Sequence, residues 1–142
     1  MFESCLEKQA RMKERFIECT SEELKYEKLI AMGKELQGLP EELKVPQNLV
    51  SGCQSIMYLS SVYRDGKVYF SGDSDALISA GLASILIDVY SGEAPEVILK
   101  CPPSFIDELG IGASLTPSRA NGLYSIHLHM KQKALKLLME NP

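Results

Sequence analysis

Among the four cysteines, Cys53 stands in the setting best suited to chemistry. It lies in Leu49-Val50-Ser51-Gly52-Cys53-Gln54-Ser55, between a proline-bearing connection and a run of β-forming residues. Gly52 beside it permits a tight or mobile backbone. A loop thiol flanked by glycine and small polar residues has what a sulfur nucleophile needs: access, and freedom to approach a partner's sulfur. The same position also suits a half-buried loop cysteine without a role, and position alone leaves both readings open. The thiol's acidity is open too. A helix N-terminus close by would favour the thiolate, whereas Asp73 and Asp75 would oppose it.

The other candidates are weaker. Cys5, Cys19 and Cys101 form no CxxC pair with each other or with Cys53, and their spacing fits neither a zinc ribbon nor a thioredoxin motif. Each reads as a core or surface residue. His127 and His129 are two apart on a helix and face different ways, so they do not make one metal site. His127 falls on an apolar face and reads as a core histidine. A Cys-His hydrolase would need one of them to reach Cys53, which nothing in the sequence requires. Gly110-Ile111-Gly112 lacks the third glycine and the preceding strand of a dinucleotide loop, and there is no GxSxG or Walker loop. Asp73 or Ser74 reads as the N-cap of the helix that follows. Arg119, in the first turn of a helix, opposes that helix's dipole, which points to another task such as a salt bridge or a partner contact.

The surrounding chain supplies the elements that carry these residues. Ser4-Cys5-Leu6-Glu7 reads as a capping box opening a helix that ends near Cys19. Thr20-Ser21-Glu22-Glu23 reads as a second, and the helix behind it closes at Gly38 and Pro40. Ile56 to Arg64 is rich in β-formers, Asp65-Gly66 is a two-residue hairpin turn, and Val68-Tyr69-Phe70 returns. If the turn sits there, Tyr58 faces Asp73. Ala76 to Tyr90 is apolar nearly all round and reads as a buried central helix ended by Gly92. Pro95 to Lys100 suggests a third strand, a short helix runs to Leu109, and Gly110 and Gly112 make a turn. Thr116 caps a final helix with Pro117 at its first position. The expected architecture is one domain over residues 1–142: α+β, a small antiparallel sheet of about three strands packed with helices.

Composition narrows the function. The chain has 142 residues, 45% of them apolar and 24% charged, close to the globular average. That excludes a disordered chain, a fibre and a membrane span. Fifteen basic residues against nineteen acidic ones leave a net charge of −4, and Trp is absent. Neither a basic face nor a stacking platform for nucleic acid is on offer. The charged N-terminus has no apolar run and does not read as a secretory signal. The expected compartment is a reducing cytoplasm with free thiols.

Four segments, in order, resemble one family. Leu49-Val50-Ser51-Gly52-Cys53-Gln54-Ser55 resembles the Val-x-Gly-Cys-Gln-Ser signature of the SufE family of cysteine desulfuration (sulfur-acceptor) proteins. Phe70-Ser71-Gly72-Asp73-Ser74-Asp75-Ala76 resembles its Phe-x-x-Asp-Ser-Asp-Ala. Ile78 to Leu86, with Gly81-Leu82, resembles its Ile-x-x-Gly-Leu-x-x-Leu-Leu helix. Leu115-Thr116-Pro117-Ser118-Arg119-Ala120-Asn121-Gly122-Leu123 resembles its Leu-Ser-Pro-Ser-Arg-x-Asn-Gly-Leu. The resemblance implies an α+β fold shared with IscU-type scaffold proteins. It implies a sulfur carrier and activator, rather than a stand-alone enzyme, that works with a SufS-like cysteine desulfurase. The pyridoxal phosphate would reside on that partner, with no cofactor bound here. Cys53 would be the acceptor, taking sulfur as a persulfide and passing it to a SufBCD-like iron–sulfur scaffold. Gly52, Gln54, Ser55, Asp73, Asp75 and Arg119 would position the loop or dock the partner. Two other readings compete: a metal- or cluster-binding scaffold of the same fold, and an adaptor that stimulates a desulfurase without covalent chemistry.

Overall fold

In the computed structural model, which describes residues 1–53, 55–111 and 115–142, the hairpin sets the frame. Strand β1 (Met57–Arg64) pairs antiparallel with β2 (Lys67–Ser74), and Tyr58 faces Asp73. Asp65 (φ 53°) and Gly66 (φ 78°) both take left-handed backbone conformations. A two-residue primed turn requires this, because only that twist matches the twist of the flanking strands. The register puts Met57, Leu59, Val68, Phe70 and Gly72 on the buried face.

Helices cover that face. Helix α1 spans Glu3–Arg15, α2 Glu22–Glu35 and α3 Leu77–Tyr90. Helix α4 spans Pro95–Lys100, α5 Ser104–Leu109 and α6 Pro117–Glu140. α3 is the central element: Leu82, Ala83, Ile85, Leu86, Val89 and Tyr90 are all essentially inaccessible. It packs against α2, β2, α1 and α6. α2 and α3 approach so closely that a Cβ at Gly81 would lie 2.2 Å from the Leu29 carbonyl oxygen, and one at Gly33 2.6 Å from that of Leu77. The glycines here serve packing, as the small-residue character of the segment suggests.

The architecture is α+β, with two strands rather than about three among the described residues. Pro95–Lys100 is helical, not a strand. Its buried residues, Pro95, Val97 and Ile98, are followed by buried Cys101. That spacing is one helical face, and Pro95 sits in the first turn, where its missing N–H costs nothing. The strand-like pairing falls two residues before Pro95, where Val68 and Glu93 form an isolated bridge.

Three helix starts also depart from expectation. α1 begins at Glu3 and ends at Arg15, short of Cys19, and Ser4 is inside it rather than capping it. The Ser4 hydroxyl instead donates to Glu93 Oε2 (2.8 Å), and Lys8 Nζ lies 2.6 Å from the same oxygen. Glu93 is buried, and a buried carboxylate is tolerated only when paired, so this tertiary demand overrides the local cap. In α2 the cap is Ser21, whose hydroxyl accepts the Leu24 N–H, rather than Thr20. α3 is capped by neither Asp73 nor Ser74; its N-cap is Ala76. Gly92 (φ 83°) follows α3 and Gly110 (φ 68°) caps α5 as expected; Gly112 lies outside the described residues. Thr116 caps α6 by accepting the Arg119 N–H (3.4 Å), with Pro117 at the start. His127 is a core histidine, stacked on Tyr90 with ring centroids 5.2 Å apart.

Two outcomes follow from this packing. Gly81→Ala should lower stability by about 3 kcal/mol, the upper end of overpacking costs, because the clash is with backbone; urea unfolding measures it. His127 is held down to about 4, by burial first and by Lys131 second. An unfolded histidine takes up its proton near pH ~6.5, so below that pH the unfolded chain binds more protons and stability falls towards pH 4. The loss between pH 7 and 5 should be about 2 kcal/mol. His127→Phe should remove that part of the slope, and an identical slope in the variant would contradict the assignment.

Candidate functional site

The backbone before Cys53 is fastened to the sheet. Leu49 bridges to Tyr58, and the Val50 N–H donates to the Met57 carbonyl (2.8 Å). Val50 is buried, and the chain then emerges at exposed Ser51. After Cys53 it is fastened again. The Ser55 and Ser79 hydroxyls share a hydrogen bond of 2.6 Å, which ties the chain to the first turn of α3. The Ile56 N–H donates to Asp75 Oδ1 (3.1 Å), and the Ser74 hydroxyl donates to the Ile56 carbonyl (3.0 Å). Cys53 therefore rides on a short span between two anchors.

What holds the thiol itself is slight. Sγ is half-buried against α6, 3.8 Å from the Gly122 carbonyl oxygen, a weak S–H···O contact. Gly52 (φ +90°) could not be replaced without conflict: a Cβ there would lie 2.3 Å from Ser125 Oγ. A Cβ at Gly122 would stand 3.6 Å from Sγ, an ordinary contact. Burial pushes the Cys53 thiol up from its usual range. Burial is the cause of the shift, and the helix the thiol touches offers it a carbonyl. At neutral pH Cys53 rests as a thiol, a poor nucleophile until its surroundings change.

The remaining candidates divide. Ser55 and Asp75 anchor the Cys53 span. Asp73 does not touch it. Its carboxylate accepts the Leu39 N–H (3.1 Å), pairs with Lys44 Nζ (3.3 Å) and packs on Gly38, fastening the connection after α2. Arg119 makes no salt bridge among the described residues. Its Nη1 donates to Tyr26 Oη (3.0 Å), and the guanidinium lies over that ring. It sits three residues before Gly122, on the helix that seats the thiol. Gln54 lies outside the described residues. Sequence reasoning missed Ser79, Ser125 and Gly122 as site residues. Gly122 carried a readable signal, since a glycine inside a helix costs about 1 kcal/mol relative to alanine and implies a packing reason.

The other thiols are not comparable. Cys5 and Cys101 are buried side by side, both within 3.7 Å of Gln9 Nε2. Burial, with Cys101 as neighbour, pushes the Cys5 thiol up to about 12. Among the described residues no three His, Cys, Asp or Glu side chains are grouped to hold a metal. Nor is any described helix long and apolar enough to cross a membrane.

Because burial raises it, Cys53 should react with iodoacetamide more slowly at pH 7 than an unstructured thiol. Its pH–rate midpoint should lie above the ordinary value of about 8.5; a midpoint at or below that value would contradict the sheltered seat.

The chain is similar to known proteins over most of its length. The SufE family, described as an Fe-S metabolism associated domain, matches residues 10–134. The chain is 43% identical over 126 residues to an uncharacterized SufE-like protein of Synechocystis, covering 89% of this chain and 79% of that one. It is 37% identical over 117 residues to the sulfur acceptor protein CsdE of Escherichia coli, covering 81% and 80%. The solution structure of a hypothetical protein from Thermus thermophilus superposes with a TM-score of 0.75 at 25% identity, over 93% of this chain and 96% of that one. With the family's match spanning nearly the whole helix-and-hairpin frame that seats Cys53, this chain belongs to the SufE family.

Proposed function

We propose that this chain is the sulfur acceptor of a cysteine desulfurase and that Cys53 is the accepting thiol. The observation that carries the reading is the seat of Cys53: a half-buried thiol on a short span, fastened on both sides and making one weak hydrogen bond among the described residues. The Escherichia coli relative bears the name sulfur acceptor protein. The pyridoxal phosphate that frees sulfur from cysteine belongs to the desulfurase.

The transfer is a thiol–persulfide exchange. Cys53 loses its proton when docking draws the loop from its apolar seat. Its thiolate attacks the outer sulfur of the desulfurase persulfide. The new S–S bond forms on Cys53, and the old one breaks. The desulfurase cysteine leaves with the electron pair as a thiolate, ready to take a proton, so no oxidant or reductant enters. Cys53 now carries the persulfide, which it passes by the same exchange to an acceptor on an iron–sulfur scaffold. A persulfide is readily reduced or oxidised, and the half-buried seat shelters it between partners. Burial thus serves the cargo while keeping the empty carrier unreactive.

The test is intact mass after mixing the chain with a cysteine desulfurase, its pyridoxal phosphate and free cysteine, without reductant. The expected product carries one added sulfur, lost on reduction and absent in Cys53→Ser. That variant should remain folded, since a loop side chain of this size contributes little to the core. No added sulfur beside a competent desulfurase would sink the acceptor reading. Stimulation that survived Cys53→Ser would instead support a non-covalent adaptor, and bound metal in the purified chain would support the scaffold reading. We further propose that Arg119 contributes to docking. Arg119→Ala should weaken desulfurase stimulation severalfold while Cys53 alkylation proceeds as in the parent chain; undiminished stimulation would place its role elsewhere.

A further inference from the structure

The chain leading to Cys53 runs along the last helix in the opposite direction, and three contacts mark its course. Lys133 Nζ donates to Asn48 Oδ1 (2.8 Å). Gly52 packs on Ser125, and Cys53 Sγ meets the Gly122 carbonyl. Asn48 to Cys53 is five residue steps, at most about 16 Å of chain, and Gly52 (φ +90°) turns it within that length. Leu49 and Val50 are bonded to β1 between the two ends. The Asn48 tie and the Cys53 seat therefore lie on one helix, on either side of a sheet anchor.

The fastening is built rather than incidental. Asn48 is buried, and its amide is used on both sides: Oδ1 receives Lys133, and Nδ2 donates to the Leu43 carbonyl (2.7 Å). Lys133 is itself half-buried, and burial, followed by Lys136, disfavours its charge.

We infer that Lys133, through Asn48, is a positioning residue that lays the stem against the last helix and so keeps the Cys53 thiol in its closed seat. The inference deepens the acceptor reading, but its geometry and its test do not depend on sulfur transfer. Lys133 does not touch the reacting sulfur; it acts through the stem.

The experiment is site-resolved alkylation of the whole chain with iodoacetamide, read by mass spectrometry of each cysteine peptide. In Lys133→Met, which keeps the bulk and removes the donor, Cys53 should react about three- to tenfold faster, the range expected when one hydrogen bond ceases to favour the closed state. Buried Cys5 and Cys101 should stay protected. Lys133→Arg, which keeps a donor, should restore most of the parent rate. Asn48→Ala should show at least that rise, since it also removes the bond to Leu43, and adding Lys133→Met to it should change little more, since the Lys133 tie is already gone. Exposed Lys136→Met should leave the rate unchanged. An unchanged Cys53 rate in Lys133→Met would overturn the inference. So would a parallel rise at Cys5 and Cys101, because that would report general loosening of the fold. Failure of the acceptor reading would show only in the mass experiment with desulfurase and would leave these rates as they are.

Discussion

The position of Cys53 depends first on a turn that it does not touch. Asp65 and Gly66 place Met57 opposite Ser74, and this sets Ile56 beside Ser74 and Asp75, whose side chains hold its carbonyl and its N–H. A slip of one residue would turn every hairpin side chain to the other face. It would take Met57 and Leu59 out of the core and part Ile56 from its anchors together. The downstream post of the Cys53 span is therefore as secure as the hairpin, and the hairpin is as secure as its buried face. α3 completes this dependence. Its first turn carries Ser79, bonded to Ser55, and its middle carries Gly81, which lets α2 lie against it.

Against that rigid frame the thiol is held lightly. Burial disfavours its charged form, and a single long S–H···O contact is the one hydrogen bond it makes among the described residues. These two facts pull in the same direction for a carrier. A thiol that ionised readily in the free chain would react with any oxidant or disulfide it met. One buried deeply, like Cys5 or Cys101, would never meet a donor. Cys53 lies between these extremes, half-buried against α6 with its sulfur on the Gly122 carbonyl.

Much of this was legible before the structure. The hairpin register followed from Asp65-Gly66 alone, because turn type and side-chain period together determine pairing. The buried central helix and the Thr116-Pro117 start of α6 followed from composition and capping. The errors share one cause: a distant partner outweighed a local preference. Pro95–Lys100 has strand-forming Val97, Ile98 and Leu99, yet its apolar positions face α6 only when coiled. Ser4 left a plausible cap to serve buried Glu93, and Asp73 left the end of α3 to hold Leu39 and Lys44. At the site, the nucleophile candidate and the anchors Ser55 and Asp75 were visible in the motifs. Ser79 and Ser125 were not, since a lone serine on a helix carries no pattern, and their roles come only from which chain lies across them.

The balance of a firm frame and a light seat also bounds what docking must supply. A closed state held by interactions of about one hydrogen bond's net worth each needs only a few kcal/mol of differential affinity to be opened. A partner surface can provide that by pairing with the span once it has left α6. A seat held much more tightly would demand a correspondingly larger preference for the open form, since a ligand that binds both states equally shifts nothing. The anchors on either side serve a second purpose here. Because Val50 and Ile56 stay with the sheet, opening orders and disorders only a short stretch of backbone, and the entropy exchanged in each cycle stays small. Under the proposed function, a carrier that opens and closes once per sulfur atom is better served by a short span on fixed posts than by a long mobile arm.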